Sequence, residues 1–232
     1  MVQELLSLEK VKKTYDMGKA GKLTVLKDIN LTIKEGDFVS IVGPSGSGKS
    51  TMMNLIGALD LPTEGTIKLK GKKLMELSES ELAEFRGKTI GFIFQTFNLI
   101  PTLSALENVM LPQEVINISS TEAEKRSKEL LEILGLGERI YHTPSELSGG
   151  QQQRVAIARS MSNDPDIILA DEPTGNLDSK TGRFVMDFLT ELNKKGKTII
   201  LITHDTNLMK YSKRTIYLKD GKIIKDVGGK QK

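Results

Sequence analysis

At 232 residues the chain can bury a sizeable core, as one large domain or two closely packed subdomains, and is too short for a string of modules. Its 33 basic residues against 30 acidic ones leave a net charge of +3, too small and too scattered to argue for nucleic acid; Lys12-Lys13, Lys72-Lys73 and Lys194-Lys195 read as solvated surface. The absence of cysteine excludes disulfides, thiolate chemistry and cysteine-based metal sites.

From Met1 to Leu6 no basic region leads into a long apolar stretch, so no signal peptide is expected. No run approaches the ~18 apolar residues of a membrane span. The expectation is a soluble protein with no direct membrane insertion, so that any membrane role must come through a partner.

In chain order, Leu5 to about Ile33 reads as strands broken by the loop Asp16–Gly21, and Lys34-Glu35-Gly36-Asp37 turns into the apolar strand Phe38–Val42. Next comes Gly43-Pro44-Ser45-Gly46-Ser47-Gly48-Lys49-Ser50-Thr51, which matches G-x-x-x-x-G-K-[ST]. A helix is expected to start near Lys49 and run through Ile56. Glycines there let consecutive backbone N–H groups turn around an anion, and the helix start adds its positive dipole end. Lys49 supplies a mobile charge for the β- and γ-phosphates, and the Ser50 hydroxyl suits Mg²⁺. Strand, glycine turn and helix start together read as a phosphate-binding loop.

Pro62–Gly65 turns into a short strand, Thr66–Leu69. Ser78 and Glu81 have capping-box spacing, which predicts a helix through Arg86. Ile90–Phe94 returns as a buried strand. Ser104–Val109 and Thr121–Leu134 read as helices, the second stopped by Gly135. Such a mostly helical insertion suggests a subdomain hanging from a nucleotide-binding sheet. Strands and helices then alternate again: Ile167–Ala170, a helix from about Ser179 with Phe184, Phe188, Leu189 and Leu192 on one face, and the strand Thr198–Ile202. Thr215–Val227 reads as a closing hairpin around Asp220-Gly221, and residues 228–232 as frayed.

Asp171 follows the strand Ile167–Ala170, at the carboxyl end where parallel sheets place ligands. A carboxylate there can hold Mg²⁺, and Glu172 beside it is the candidate to orient or deprotonate the attacking water. Leu147-Ser148-Gly149-Gly150-Gln151 precedes the helical run Gln151–Ser160 and makes a second exposed helix start suited to an anion.

With these motifs in this order, the chain resembles the ATP-binding subunit of ATP-binding-cassette (ABC) systems over nearly its whole length. The resemblance implies an α/β P-loop cassette with a mixed nucleotide-binding sheet, an antiparallel β subdomain and a mostly helical subdomain. Residues 1–95 and 163–232 would form the core with its β subdomain, and 96–162 the helical subdomain. It implies ATP hydrolysis with Mg²⁺, and a head-to-tail homodimer sandwiching two nucleotides. Ser148, Gly149, Gly150 and Gln151 would then face the ATP of the partner copy. Gln95 matches the glutamine that touches Mg²⁺ or the lytic water, and His204 the histidine at the γ-phosphate. Tyr15 matches the aromatic that stacks on adenine, and Asp178 lies in the loop that communicates across the dimer. There Gly175-Asn176 departs from the commoner Ser-Ala. Gly57–Gly65, Phe92–Pro101 and Leu169–Asp178 look like the subfamily serving macrolide export, lipoprotein release and antimicrobial-peptide resistance.

The implied partner is an integral membrane permease, placing the chain peripherally on the cytoplasmic face of the membrane. Phe97, Leu99 and Ile100 are expected to meet a short helix of that permease, with Phe94 in the core. The same motifs suit a cell-division-type signalling ATPase that acts on an envelope partner without moving a substrate. A soluble relative acting on ribosomes or DNA is disfavoured by the single cassette and the small net charge.

Overall fold

In the computed structural model, residues 3–228 are described. They fold as two compact units: one runs to Leu82 and resumes at Leu192, and the other spans Ala83–Glu191.

The first unit opens with β1 (Glu4–Asp16) and β2 (Lys22–Lys34), which pair antiparallel; β3 (Phe38–Val42) follows, and then α1 (Lys49–Ile56). Strand β4 (Glu64–Leu69) pairs antiparallel with β1 and with the two-residue β5 (Lys72–Lys73), giving one sheet in the order β2-β1-β4-β5. Alternation places Leu6, Leu8, Val11, Leu26, Ile29 and Ile67 inside, all essentially unexposed. After Leu192 come β8 (Thr198–Thr203), β9 (Arg214–Lys219) and β10 (Lys222–Gly228). Strand β3 lies between β8 and β9, parallel to both, and β10 closes antiparallel on β9. Every residue of β3 and β8 is buried, as the continuous apolar runs require. Each such fully buried aliphatic side chain is worth about 1.5–3 kcal/mol.

The β9–β10 turn is the one expected: Asp220 and Gly221 take φ of 49° and 77°, the two positive values that a primed hairpin turn needs. Gly228 ends β10 in register with Arg214, and the rest of the stretch expected to fray, 229–232, lies outside the described residues. Arg214 closes this corner, with Nη2 2.6 Å and Nε 2.9 Å from the Asp226 carboxylate and Nη1 2.6 Å from the Thr32 carbonyl.

In the order of the chain, α2 (Glu79–Thr89) leads into the second unit, which holds β6 (Ile90–Ile93), α3 (Ala105–Val115), α4 (Ser120–Ile133), α5 (Gly149–Met161), β7 (Ile167–Asp171) and most of α6 (Ser179–Lys194). Strands β6 and β7 thus share a compact unit with the helices, and pair parallel to each other. The expected capping box forms at α2, where Ser78 N–H donates to Glu81 at 2.9 Å. Helix α3 outruns its expected end by two turns. It continues past Pro112, whose carbonyl accepts from Asn163 Nδ2 at 2.8 Å. Helix α4 stops where Gly135 (φ 70°) turns left-handed, with Gly135 N–H donating to Glu132 O and Leu136 N–H to Leu131 O. Among the described residues, no helix is long and apolar enough to cross a membrane.

Candidate nucleotide site

In the first unit β3 delivers the phosphate loop. Its last residue, Val42, is in register with Thr203 of β8 and Tyr217 of β9, so Gly43 and His204 leave the sheet at the same edge. At Gly43 a Cβ would sit 2.1 Å from the Leu218 carbonyl oxygen and 2.8 Å from Ser47 Oγ. Glycine is required there by close approach. Gly46 and Gly48 instead need it for conformation, at φ of 77° and 102°. Gly48 caps α1, so the helix starts at Lys49 as read.

The side chains of the loop divide by exposure. Ser45 and Ser50 are exposed and Thr51 is half-buried. Ser47 is buried, and its hydroxyl has no hydrogen-bond partner. A buried polar group without a partner is costly, and a phosphate oxygen would satisfy this one. Lys49 Nζ donates to the carbonyls of Gly43 at 2.8 Å and Pro44 at 3.0 Å, which leaves one of its three N–H groups for another acceptor. Backbone donors, an orphan hydroxyl and an ammonium make a donor set that fits a polyphosphate.

Tyr15 stands near the end of β1, half-buried, with its hydroxyl 3.1 Å from Asp60 Oδ2. Lys13 lies 5.0 Å from the ring centroid and 2.6 Å from Asp60 Oδ1. Burial pushes the Asp60 carboxyl up, but the Lys13 hydrogen bond and charge, with the Leu61 and Tyr15 donors, hold it below the usual range. The ring is thereby pinned at its hydroxyl and capped on one face.

In the second unit, Ile93 is in register with Ala170, so Gln95 and the pair Asp171-Glu172 emerge at the same edge of β6 and β7. Glu172 takes a φ of 44°, a left-handed conformation that costs a non-glycine residue about 1–2 kcal/mol. The strain turns the chain sharply after β7, and sequence gives no sign of it. Gly175 and Asn176 find a physical reason here. A Cβ at Gly175 would sit 2.7 Å from Gln95 Nε2, and Asn176 Nδ2 donates to the Gln95 carbonyl at 3.0 Å.

Ser148 caps α5: its Oγ accepts from Gln151 N–H at 3.4 Å, and Gln151 Oε1 accepts from Ser148 N–H at 2.8 Å. Since the Ser148 oxygen accepts, its O–H remains to donate to an anion at this helix start. Gly149 and Gly150 form the first turn, and a Cβ at Gly150 would lie 2.9 Å from Thr181. The Thr181 hydroxyl donates to Asp178 at 2.6 Å, and the Lys180 and Thr181 amides donate to the same carboxylate at 2.9 and 3.0 Å. These hydrogen bonds, that of the Thr181 hydroxyl first, hold the Asp178 carboxyl below its usual value. Asp178 thus caps α6 while its partner threonine abuts the start of α5.

Two residues of this unit escaped the sequence reading. Buried Gln153 donates to the Pro173 carbonyl at 2.8 Å, tying α5 to the turn after Glu172. Arg159 donates to the Phe97 and Asn98 carbonyls at 2.7 and 2.5 Å. No motif marks either residue, and positions 153 and 159 share no face of a helix, so the sequence carries no local signal for them. A cavity of about 310 Å³ also opens here, lined by Phe92, Phe94, Pro112, Val115, Asn98 and Arg159 among others. Phe94 and Asn98 line it, rather than the expected Phe97, Leu99 and Ile100, and the stacked Phe92 and Phe94 rings (5.6 Å) form its apolar wall.

The fold and loop define a P-loop nucleotide-binding cassette of the α/β class. The chain belongs to the ABC transporter family, whose model matches residues 26–175. It is 54% identical to the ABC transporter ATP-binding protein MJ1508 of Methanocaldococcus jannaschii, over 95% of this chain and 98% of that one. The macrolide export ATP-binding/permease protein MacB of Hyphomonas neptunium is 48% identical over this whole chain, which spans 36% of its length. The dimeric structure of the cassette MJ0796, in a post-hydrolysis state bound to ADP and Pi, matches with a TM-score of 0.89 at 51% identity, covering 97% of this chain and 98% of that one. Relatives of this chain therefore include macrolide-export proteins and a cassette that dimerises.

Proposed function

We propose that this chain hydrolyses ATP as a head-to-tail homodimer and drives a separate membrane permease in export or extraction from the membrane. The observation carrying this reading is that one chain presents two anion-type helix starts, α1 behind its glycine loop and α5 behind Ser148. A dimer gives both a use, and the half-identical cassette MJ0796 is dimeric. Lys49 and the backbone N–H groups of Gly43 and of Ser45 to Thr51 hold the phosphates, with the Ser45 and Ser47 hydroxyls beside them. Tyr15 stacks on adenine. Ser148, Gly149, Gly150 and Gln151 serve the ATP of the other copy, and Asp178 communicates between the two.

Ser50, Gln95 and Asp171 serve Mg²⁺, which when bound neutralises charge on the phosphates. Among the described residues no cluster of three His, Asp or Glu could hold a metal alone. That suits an ion whose remaining ligands are phosphate and water. Glu172 orients or deprotonates the attacking water, and His204 contacts the γ-phosphate. Catalysis of this kind is positioning plus charge stabilisation.

The permease docks at the cavity beside Phe94, and through it the cassette sits at the cytoplasmic face of the membrane. Val115 lines that cavity and is 61% exposed, so an added charge there disturbs no core. Val115→Asp should weaken co-purification with the permease while nucleotide affinity is kept. Undiminished co-purification would place docking elsewhere. ATPase of the reconstituted complex that rises with a transported substrate would support transport. Response to an envelope partner alone would oppose it.

A further inference from the structure

We propose that Arg159 is a positioning residue for Gln95: its guanidinium holds the turn that follows the glutamine and so fixes where the glutamine amide sits. Phe97 and Asn98 are consecutive residues at φ of 58° and 51°, both left-handed and neither glycine. Asparagine visits this region with some ease; phenylalanine does not. Two such residues in a row persist only where their surroundings hold them. The carbonyls of these two residues are the ones that accept from Arg159, at 2.7 Å from Nη2 and 2.5 Å from Nη1.

The arrangement serves the arginine as well. Its guanidinium is partly buried, and among the described residues no carboxylate pairs with it. A buried cation needs acceptors, and the two carbonyls provide them. From the other side, Asn176 holds the Gln95 carbonyl, and the space where a Gly175 Cβ would stand is filled by the Gln95 amide. Gln95 is thus gripped between the loop after Glu172 and the far end of α5. The other end of α5 is the Ser148 cap. One rigid helix therefore carries the signature residues at its start and the restraint on Gln95 near its end. Lysine cannot replace the planar fork that spans two acceptors at once.

This inference rests on the role given to Gln95 above. The test is a double-mutant cycle in the full-length chain: Arg159→Met, Gln95→Ala and the pair, with ATP affinity, kcat and the Mg²⁺ concentration for half-maximal rate. Arg159→Met should lower kcat about tenfold and raise the Mg²⁺ requirement, while ATP affinity stays within about twofold. The double variant should be no slower than Gln95→Ala alone, because the arginine acts through the glutamine. If Arg159→Met does not fold, Arg159→Lys carries the same cycle with a smaller loss. Losses that multiply independently would overturn the role of Arg159. A Gln95→Ala variant with unchanged kcat and Mg²⁺ dependence would overturn the reading of Gln95, and the inference with it.

Discussion

Gly43 and Gly46 lie three residues apart in one loop and require glycine for different reasons, so replacing each separates the two. A Cβ at Gly43 would be 2.1 Å from Leu218 O, whereas ordinary carbon–oxygen contact is about 3.3 Å, an overlap of roughly 1.2 Å. Leu218 belongs to β9, which is hydrogen-bonded to β3 through this region, so neither backbone yields freely. Gly43→Ala should cost about 3 kcal/mol, at the upper end of overpacking losses, and lower Tm by about 6–12 °C. At Gly46 nothing lies within 4 Å of the added atom, and only its φ of 77° resists. Gly46→Ala should cost about 1–2 kcal/mol, and Gly46→Asn less, since asparagine tolerates that region. ATP affinity should follow the same order, because a loop displaced by about 1 Å no longer aims its amides at the phosphates. The assay is thermal melting with and without ATP. A Gly43→Ala protein as stable as wild type, or a Gly46→Ala protein less stable than it, would refute this account of the loop.

Two further predictions follow from the helix starts. Glu81, Glu107, Glu146 and Asp178 are each held below their usual values by capping hydrogen bonds, from Ser78, Ser104, Thr143 and Thr181 respectively. A folded-state value below the unfolded one means that this stabilisation is present above the unfolded pKa and lost as pH falls through the folded one. The urea midpoint should therefore hold from pH 7 to about 5 and fall below about pH 4, with Glu107→Gln flattening the slope; a midpoint unchanged between pH 5 and 3 would contradict it. Ser148→Arg should leave ATP binding within about twofold of wild type while abolishing turnover and dimer formation, because a bulky cation then occupies the start of α5; titration calorimetry and ATPase rates on one preparation check this, and loss of ATP binding in the monomer would count against it.

The parts of the fold legible in the sequence are those written in local chemistry. Phe38–Val42 and Thr198–Thr203 are continuous apolar runs; Asp220-Gly221 carries its own turn preference; Ser78 and Glu81, like Gly135, mark helix ends by residue type. Pro112 signals a break in α3, yet the helix runs past it, with Asn163 bonded to the proline carbonyl. An apolar residue at a strand end predicts core for Phe94, and the cavity beside it depends on how α2, β6, α3 and the end of α5 come together, which no local pattern encodes. The candidate site divides in the same way. Gly43–Thr51 and Leu147–Gln151 announce themselves, since backbone amides can wrap an anion only with such residues. The residues that hold the site were silent. Arg159 and Gln153 are one arginine and one glutamine on a polar helix until the fold shows their acceptors. Glycine at 175 is a departure from the usual pattern, and the fold places it where a Cβ would push the Gln95 amide aside.

The central claim is an ATP-hydrolysing dimer with Glu172 acting on water, and Glu172→Gln tests it most directly. The left-handed turn at Glu172 is retained by glutamine, which keeps the side-chain length and removes only the carboxylate. On the proposed function ATP would bind both halves of the dimer and hydrolysis would release them, so a variant that binds without hydrolysing should accumulate the closed form. The measurement is size-exclusion chromatography of Glu172→Gln with and without ATP, alongside its turnover rate. Glu172→Gln should run as a monomer that becomes a dimer on adding ATP, with turnover nearly abolished. A variant that stays monomeric with ATP bound, or that hydrolyses ATP at the wild-type rate, would contradict it.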